Sequence, residues 1–157
     1  MTVTPRFDLR TTCPDGFAAM MRLHACVKAS GLESALLEIV KLRVSQVNGC
    51  AFCVDLHATA ARELGEREAR LHLLAAWLDA PGFSTVERAA LHWAEALTRL
   101  ADRDGLDAAF DQAARALTLH QIAELTLAVA EVNAWNRLMI AARTPPMSMP
   151  RTPSDAA

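Results

Sequence analysis

Residues 33–65 read ESALLEIVKLRVSQVNGCAFCVDLHATAARELG, and two helical patterns separated by Asn48-Gly49 lie in that one stretch. From about Glu33 to Val47, the residues Leu32, Leu36, Ile39, Val40 and Val47 fall close to one side, a stripe suited to burial. Asn48-Gly49 stops this helix. A further helix begins near Cys50 and runs through Val54, Leu56 and Ala60 to about Leu64, where Gly65 suits the left-handed closing position. Cys50 and Cys53 are thereby placed on the first turn of a helix.

Outward from this stretch the chain continues in the same style. A helix from about Pro14 to Ser30 precedes it, with Pro14 and Asp15 suited to its start and Gly31 to its end. The segment before Pro14 reads as a loose arm. Downstream helices are expected from about Glu68 to Asp79, from Thr85 to Ala101 after the Pro81-Gly82 turn, and from Leu106 to Leu117. Ser84-Thr-Val-Glu87 has the form of a capping box. The longest element, about Leu119 to Ala142, carries Ile122, Leu125, Val129, Val132 and Leu138 and is expected to be central. Residues 1–143 read as one domain. The tail 144–157 holds four prolines and little aliphatic bulk, which suits a disordered, flexible extension or an arm that orders on a neighbouring subunit.

Composition agrees with an all-α fold. Alanine and leucine make up about a third of the 157 residues, tyrosine is absent and β-branched residues are few. Apolar residues at 52% and charged residues at 22% describe an ordinary globular chain. The formal net charge is −2, and the basic residues are scattered, so no footprint for nucleic acid or anionic lipid is present. No apolar run reaches the roughly 18 residues of a membrane span, and Met1–Arg10 lacks a signal-peptide core. The expectation is a soluble, cytoplasmic protein, and in a reducing compartment its four cysteines need an explanation other than a structural disulfide framework.

Cys50, Cys53 and His57 supply that explanation. At 3.6 residues per turn all three project from one helical face. Residues three apart on a helix lie about 5–6 Å from each other, within the Cα range of a disulfide. Free amide N–H groups and the helix dipole favour a thiolate on the first turn. A histidine one turn along can accept a thiol proton or hydrogen-bond the sulfur, which suits attack on a peroxide or a disulfide.

Plainer readings exist for each residue. A cysteine alone is more often a small apolar core residue, and His57 alone a surface or satisfied core histidine. Two thiolates and an imidazole are also good zinc ligands, with His24, His72, His92 or His120 as a fourth, although no partner is identified by spacing. Glu38 by itself reads as a surface glutamate paired with Lys41 at i+3. A redox-sensing or interaction module that oxidises without turnover is a further alternative.

The pattern Glu38-x11-Cys50-x2-Cys53-x3-His57 resembles the AhpD-like alkylhydroperoxidase core of the carboxymuconolactone decarboxylase superfamily. The likeness extends more loosely through LHLLAAW, ERAALHWAEALT and AVAEVNAWNRLMIAAR. It implies an all-helical bundle of about six to seven helices that assembles as a homo-oligomer, commonly a trimer or hexamer. It also implies hydroperoxide reduction through the cysteine pair. On that basis Glu38 and His57 form a proton relay toward Cys53. Cys53 attacks the peroxide, becomes a sulfenic acid and condenses with Cys50 to a disulfide. An external dithiol, lipoyl-bearing or of thioredoxin type, then recycles the pair, and no bound cofactor or metal is needed.

The chain departs from the resemblance at Phe52, where well-characterised alkylhydroperoxidases have histidine. Phe52 removes a hydrogen-bonding group and suits either an apolar wall beside the sulfurs or plain core packing. The decarboxylase branch generally lacks a redox cysteine pair, so the retained CxxC argues against that activity. Cys13 and Cys26 match nothing in the motif and read as ordinary thiols. Asn133, Trp135 and Asn136 lie in the family-like late segment and are candidates to line the site, with packing as the plainer role.

Overall fold

The computed structural model describes residues 4–100 and 104–149. Among the described residues the regular elements are all helical: α1 (Leu9–Thr12), α2 (Pro14–Lys28), α3 (Ser34–Asn48), α4 (Ala51–Glu63), α5 (Glu68–Leu73), α6 (Thr85–Thr98), α7 (Asp104–Ala116) and α8 (Leu119–Ala142), with a 3-10 turn at Leu74–Ala76. The fold class is all-α, as composition and pattern led one to expect.

The helix ends follow local chemistry. Gly49 takes φ 70° and closes α3 with its N–H turned back to Gln46 and Ser45, a conformation that costs glycine little. Ser84 with Glu87 caps α6, and Thr118 with Gln121 caps α8, each through a reciprocal capping box that satisfies otherwise unpaired amides.

Two segments differ from the sequence reading. The expected loose arm contains α1, because the Asp8 carboxylate accepts the Arg10 N–H at 2.8 Å and starts a short helical turn. The expected helix Glu68–Asp79 stops early: α5 ends at Leu73 and tightens into the 3-10 turn. The carbonyls of Trp77, Leu78 and Ala80 that follow are taken by the Arg88 guanidinium, which also bonds the Phe83 carbonyl. Helix α6 ends at Thr98 rather than Ala101, and residue 101 lies outside the described residues.

The core forms where α3, α6 and α8 meet. Ile39, Val40, Leu42 and Val44 of α3 are buried with Leu91 and Ala94 of α6 and with Leu125, Val129 and Val132 of α8. Each such large side chain contributes on the order of 1.5–3 kcal/mol by leaving water. Helix α8 packs against α2, α3, α4, α6 and α7, which is the expected central position. Helix α4 packs mainly on α3 and touches α8, so its cysteine-bearing face looks into the bundle. Beyond Ala142, the Ser148 N–H and hydroxyl both donate to the Asp55 carboxylate of α4, at 2.9 and 2.6 Å. Ser148 of the proline-rich segment therefore docks on α4 of its own chain, while Met147 and Met149 beside it are exposed. Residues 150–157 lie outside the described residues. Within the described residues no helix is long and apolar enough to cross a membrane.

Candidate functional site

The site is built on the turn between α3 and α4. The Cys50 N–H bonds the Ser45 carbonyl at 3.0 Å as the chain leaves Gly49. This makes Cys50 the N-cap of α4 instead of its first helical residue, and its Sγ accepts the Cys53 N–H at 3.3 Å. Cys50 and Cys53 are joined as a disulfide with their Cα atoms 5.3 Å apart, so the oxidised pair fits on a regular first turn. When the bond opens, either sulfur stays at the helix N-terminus, where unpaired amides and the dipole favour negative charge.

One turn further, His57 Nδ1 donates to Glu38 Oε2 at 2.8 Å. The plainer reading of Glu38 as a partner of Lys41 does not describe this arrangement, since Lys41 turns to a different carboxylate. Burial pushes the Glu38 carboxyl up. The hydrogen bond and charge of His57, joined by the charges of Lys41 and His24, more than reverse this, and the group titrates below its ordinary value. Glu38 is thus a carboxylate that engages one imidazole nitrogen and leaves Nε2 for proton exchange.

The two sulfurs border different spaces. Cys53 and His57 line a cavity of about 320 Å³ whose walls include Phe17, Phe52, Trp135 and Met139. Phe17 and Trp135 meet edge to face with centroids 5.9 Å apart. Cys50 instead lines a larger cleft of about 600 Å³, bordered by Phe52, Met139, Arg143, Pro145 and Pro146. Both sulfurs are almost sealed from bulk solvent, at 1% and 2% exposure, so these spaces are their routes of approach. Phe52 stands between the two as an apolar wall.

Trp135 lines the cavity, whereas Asn133 and Asn136 hold the turn in place. Asn48 Nδ2 donates to Asn136 Oδ1 at 2.8 Å and to Asn133 Oδ1 at 3.0 Å. Asn136 is fully buried and donates in turn to Ser45 at 3.0 Å. Cys13 and Cys26 are free thiols exposed on the surface. Among the described residues no three His, Cys, Asp or Glu side chains gather into a metal-holding group.

A buried ion pair, with a part-exposed histidine beside it, escaped sequence reasoning. Glu131 on α8 is 1% exposed and pairs with Lys41 of α3 at 3.3 Å and with His24 of α2 at 3.0 Å. His24 and Glu131 line the Cys53 cavity. The signal was present: Lys41 interrupts Ile39-Val40-Lys41-Leu42, and Glu131 interrupts an apolar run, where a lone charge requires a partner.

Residues 14–96 match the model of the carboxymuconolactone decarboxylase family. The chain belongs to this family. An uncharacterised Bacillus subtilis relative, YdfG, is 36% identical over 139 residues, covering 88% of this chain and 95% of that protein. A solved structure of a protein of unknown function from Agrobacterium tumefaciens, described by its authors only by suggestion as an AhpD antioxidant-defence protein, superposes with a TM-score of 0.89. It is 34% identical and covers 93% of this chain and all of its own. An uncharacterised peroxidase-related protein with an AhpD core from Ralstonia eutropha JMP134 superposes with a TM-score of 0.78. At 21% identity, over 88% of this chain and 74% of that one, it is alike in fold alone. In this carboxymuconolactone decarboxylase family member, the matched segment holds Glu38, Cys50, Cys53 and His57, while α8 adds Glu131 and Trp135 from beyond it.

Proposed function

We propose that the chain is a thiol-dependent peroxidase, or a disulfide reductase of the same chemistry, working through Cys50 and Cys53 with His57 and Glu38 as proton relay. The observation that carries this reading is that Cys53 and His57 open onto one apolar cavity while Cys53 is bonded to Cys50. In the reduced enzyme His57, backed by Glu38, takes the Cys53 proton, and the thiolate attacks a hydroperoxide in the cavity. The resulting sulfenic acid loses water to Cys50, which regenerates the disulfide.

Reduction is proposed to run on the other side. A dithiol reductant entering the larger cleft meets Cys50 first, and Cys53 leaves as the thiolate beside His57. A lipoyl-bearing or thioredoxin-type donor has the required chemistry, and the cytoplasm is the setting in which it is available. The apolar walls and Phe52 favour a bulky apolar oxidant over hydrogen peroxide. A homo-oligomer, trimer or hexamer, is the proposed assembly. Exposed Leu78 and Leu119 give apolar surface that an assembly would cover.

The reading is tested by reducing the protein, adding one equivalent of cumene hydroperoxide and mapping disulfides by mass spectrometry. A Cys50–Cys53 bridge should form within the mixing and quench time, and Cys53→Ser should abolish it. If both thiols persist, or oxidise only irreversibly, the peroxidase reading is wrong.

A further inference from the structure

The chemistry proposed above uses one histidine–carboxylate pair, yet the Cys53 cavity holds two. His24 enters it from α2, and Glu131 enters it from α8. The His24 Nδ1–H donates to Glu131 Oε1 at 3.0 Å, and Glu131 Oε2 faces Lys41 Nζ at 3.3 Å. Both Glu131 and Lys41 are almost fully buried. The His24 side chain keeps 38% of its surface exposed, so its ring can exchange protons with water, and the residue also lines the cavity. A buried carboxylate held by a buried ammonium is costly unless it is well paired. Here it fixes one nitrogen of a cavity histidine and leaves Nε2 for a ligand.

Peroxide cleavage has two proton tasks, and the Cys53 cavity holds an imidazole for each. The Cys53 thiol must lose a proton, and the alkoxide that departs must gain one. We propose that His24, oriented by Glu131, is a second catalytic residue: the general acid that protonates the alkoxide leaving a hydroperoxide as Cys53 attacks. This inference rests on the peroxidase reading.

The step balances as follows. The Cys53 thiolate forms an S–O bond to the terminal peroxide oxygen, the O–O bond breaks, and the alkoxide takes the proton of the His24 imidazolium to leave as an alcohol. Sulfur is oxidised to sulfenic acid and the peroxide is reduced. His57 holds the proton that Cys53 gave up. Cys50 then attacks the Cys53 sulfur, its own thiol proton goes to the departing hydroxide as water, and the disulfide closes. Solvent returns the proton from His57 to His24.

The test compares two oxidants on reduced wild type and on His24→Gln, with stopped-flow detection of Cys53 oxidation. tert-Butyl hydroperoxide expels a strongly basic alkoxide that needs the acid. Peracetic acid expels acetate, which does not. Loss of a general acid should slow the first reaction about a hundredfold or more and leave the second within about twofold. Equal slowing with both oxidants would mean that His24 acts through packing, and no slowing with either would mean that it takes no part; both overturn the proposal. Wild type inert toward both oxidants overturns the peroxidase reading itself, and this inference with it. Circular dichroism and the thermal midpoint establish that each variant is folded before the rates are compared, and His24→Asn replaces His24→Gln where the first variant is not.

Discussion

Glu38 Oε2 and His57 Nδ1 lie 2.8 Å apart although nineteen residues separate them, because the turn at Gly49-Cys50 lays α4 back along α3. Sequence spacing alone puts Glu38 on one helix and His57 on another with no stated relation. The hydrogen bond turns two ordinary surface-type residues into one unit with a defined donor nitrogen. Much of what is expected of the site depends on this contact.

The first expectation concerns thiol reactivity. In reduced protein, His57→Ala should slow alkylation of Cys53 by iodoacetamide near neutral pH by about tenfold or more, and Glu38→Gln should slow it less. The profile should move to higher pH in both variants. Superimposable profiles for wild type and His57→Ala would remove the relay.

The second concerns acid stability. Glu38 titrates below its ordinary value for the reasons given above. Burial pushes the Glu95 carboxyl up as well, but the Trp77 indole N–H at 2.7 Å and the Arg43 guanidinium at 2.6 Å, with the charge of Arg99, bring it below its ordinary value. A carboxyl depressed in the folded state stabilises the fold above the ordinary glutamate range, and that contribution is lost as pH falls through the folded value. As far as these carboxyls are concerned, the urea midpoint should therefore hold from pH 7 to about pH 5 and fall as the pH is lowered further, through the glutamate range to about pH 3. Glu95→Gln should start lower at pH 7 and decline less steeply, and parallel curves for the two proteins would contradict this.

The third concerns the asparagine clamp. Asn136→Ala removes one of the two amide oxygens that Asn48 donates to and the amide that donates to the buried Ser45 hydroxyl, at a cost of about 1–3 kcal/mol. It also loosens the turn that presents Cys50, so disulfide formation after peroxide should slow even at temperatures where the variant is fully folded. Chemical denaturation and disulfide mapping check the two effects separately. A stability loss with an unchanged oxidation rate would restrict Asn136 to a packing role.

The fourth concerns the buried ion pair. Lys41→Met removes the ammonium that faces Oε2 of the buried Glu131 carboxylate, which keeps His24 at Oε1, and should cost about 3–5 kcal/mol, whereas Lys41→Met combined with Glu131→Leu should recover a large part of the loss. Thermal unfolding of the single and double variants completes the cycle. Additive losses would show that the two side chains do not depend on each other.

The local features were legible in the chain order itself. The 3.6-residue stripe of Leu36, Ile39 and Val40, the stop at Asn48-Gly49, the Ser84–Glu87 capping box and the closing Gly65 all depend on interactions within one or two helical turns. They appear in the structure where the pattern puts them. The spacing of Cys50, Cys53 and His57 is equally local, so the redox pair was visible before any tertiary contact was known. The early end of α5 was not visible, since it depends on Arg88 reaching back for distant carbonyls.

What the sequence determined by itself is therefore the helical class and the one-turn geometry of the CxxC pair, because both are set by propensity and by short-range hydrogen bonds. Only the tertiary structure decided that Cys53 and Cys50 border different spaces, that His57 meets Glu38, and that His24 and Glu131 share the Cys53 cavity. Those relations join four helices, α2, α3, α4 and α8. They are fixed by how buried faces pack, and one-dimensional spacing does not encode that.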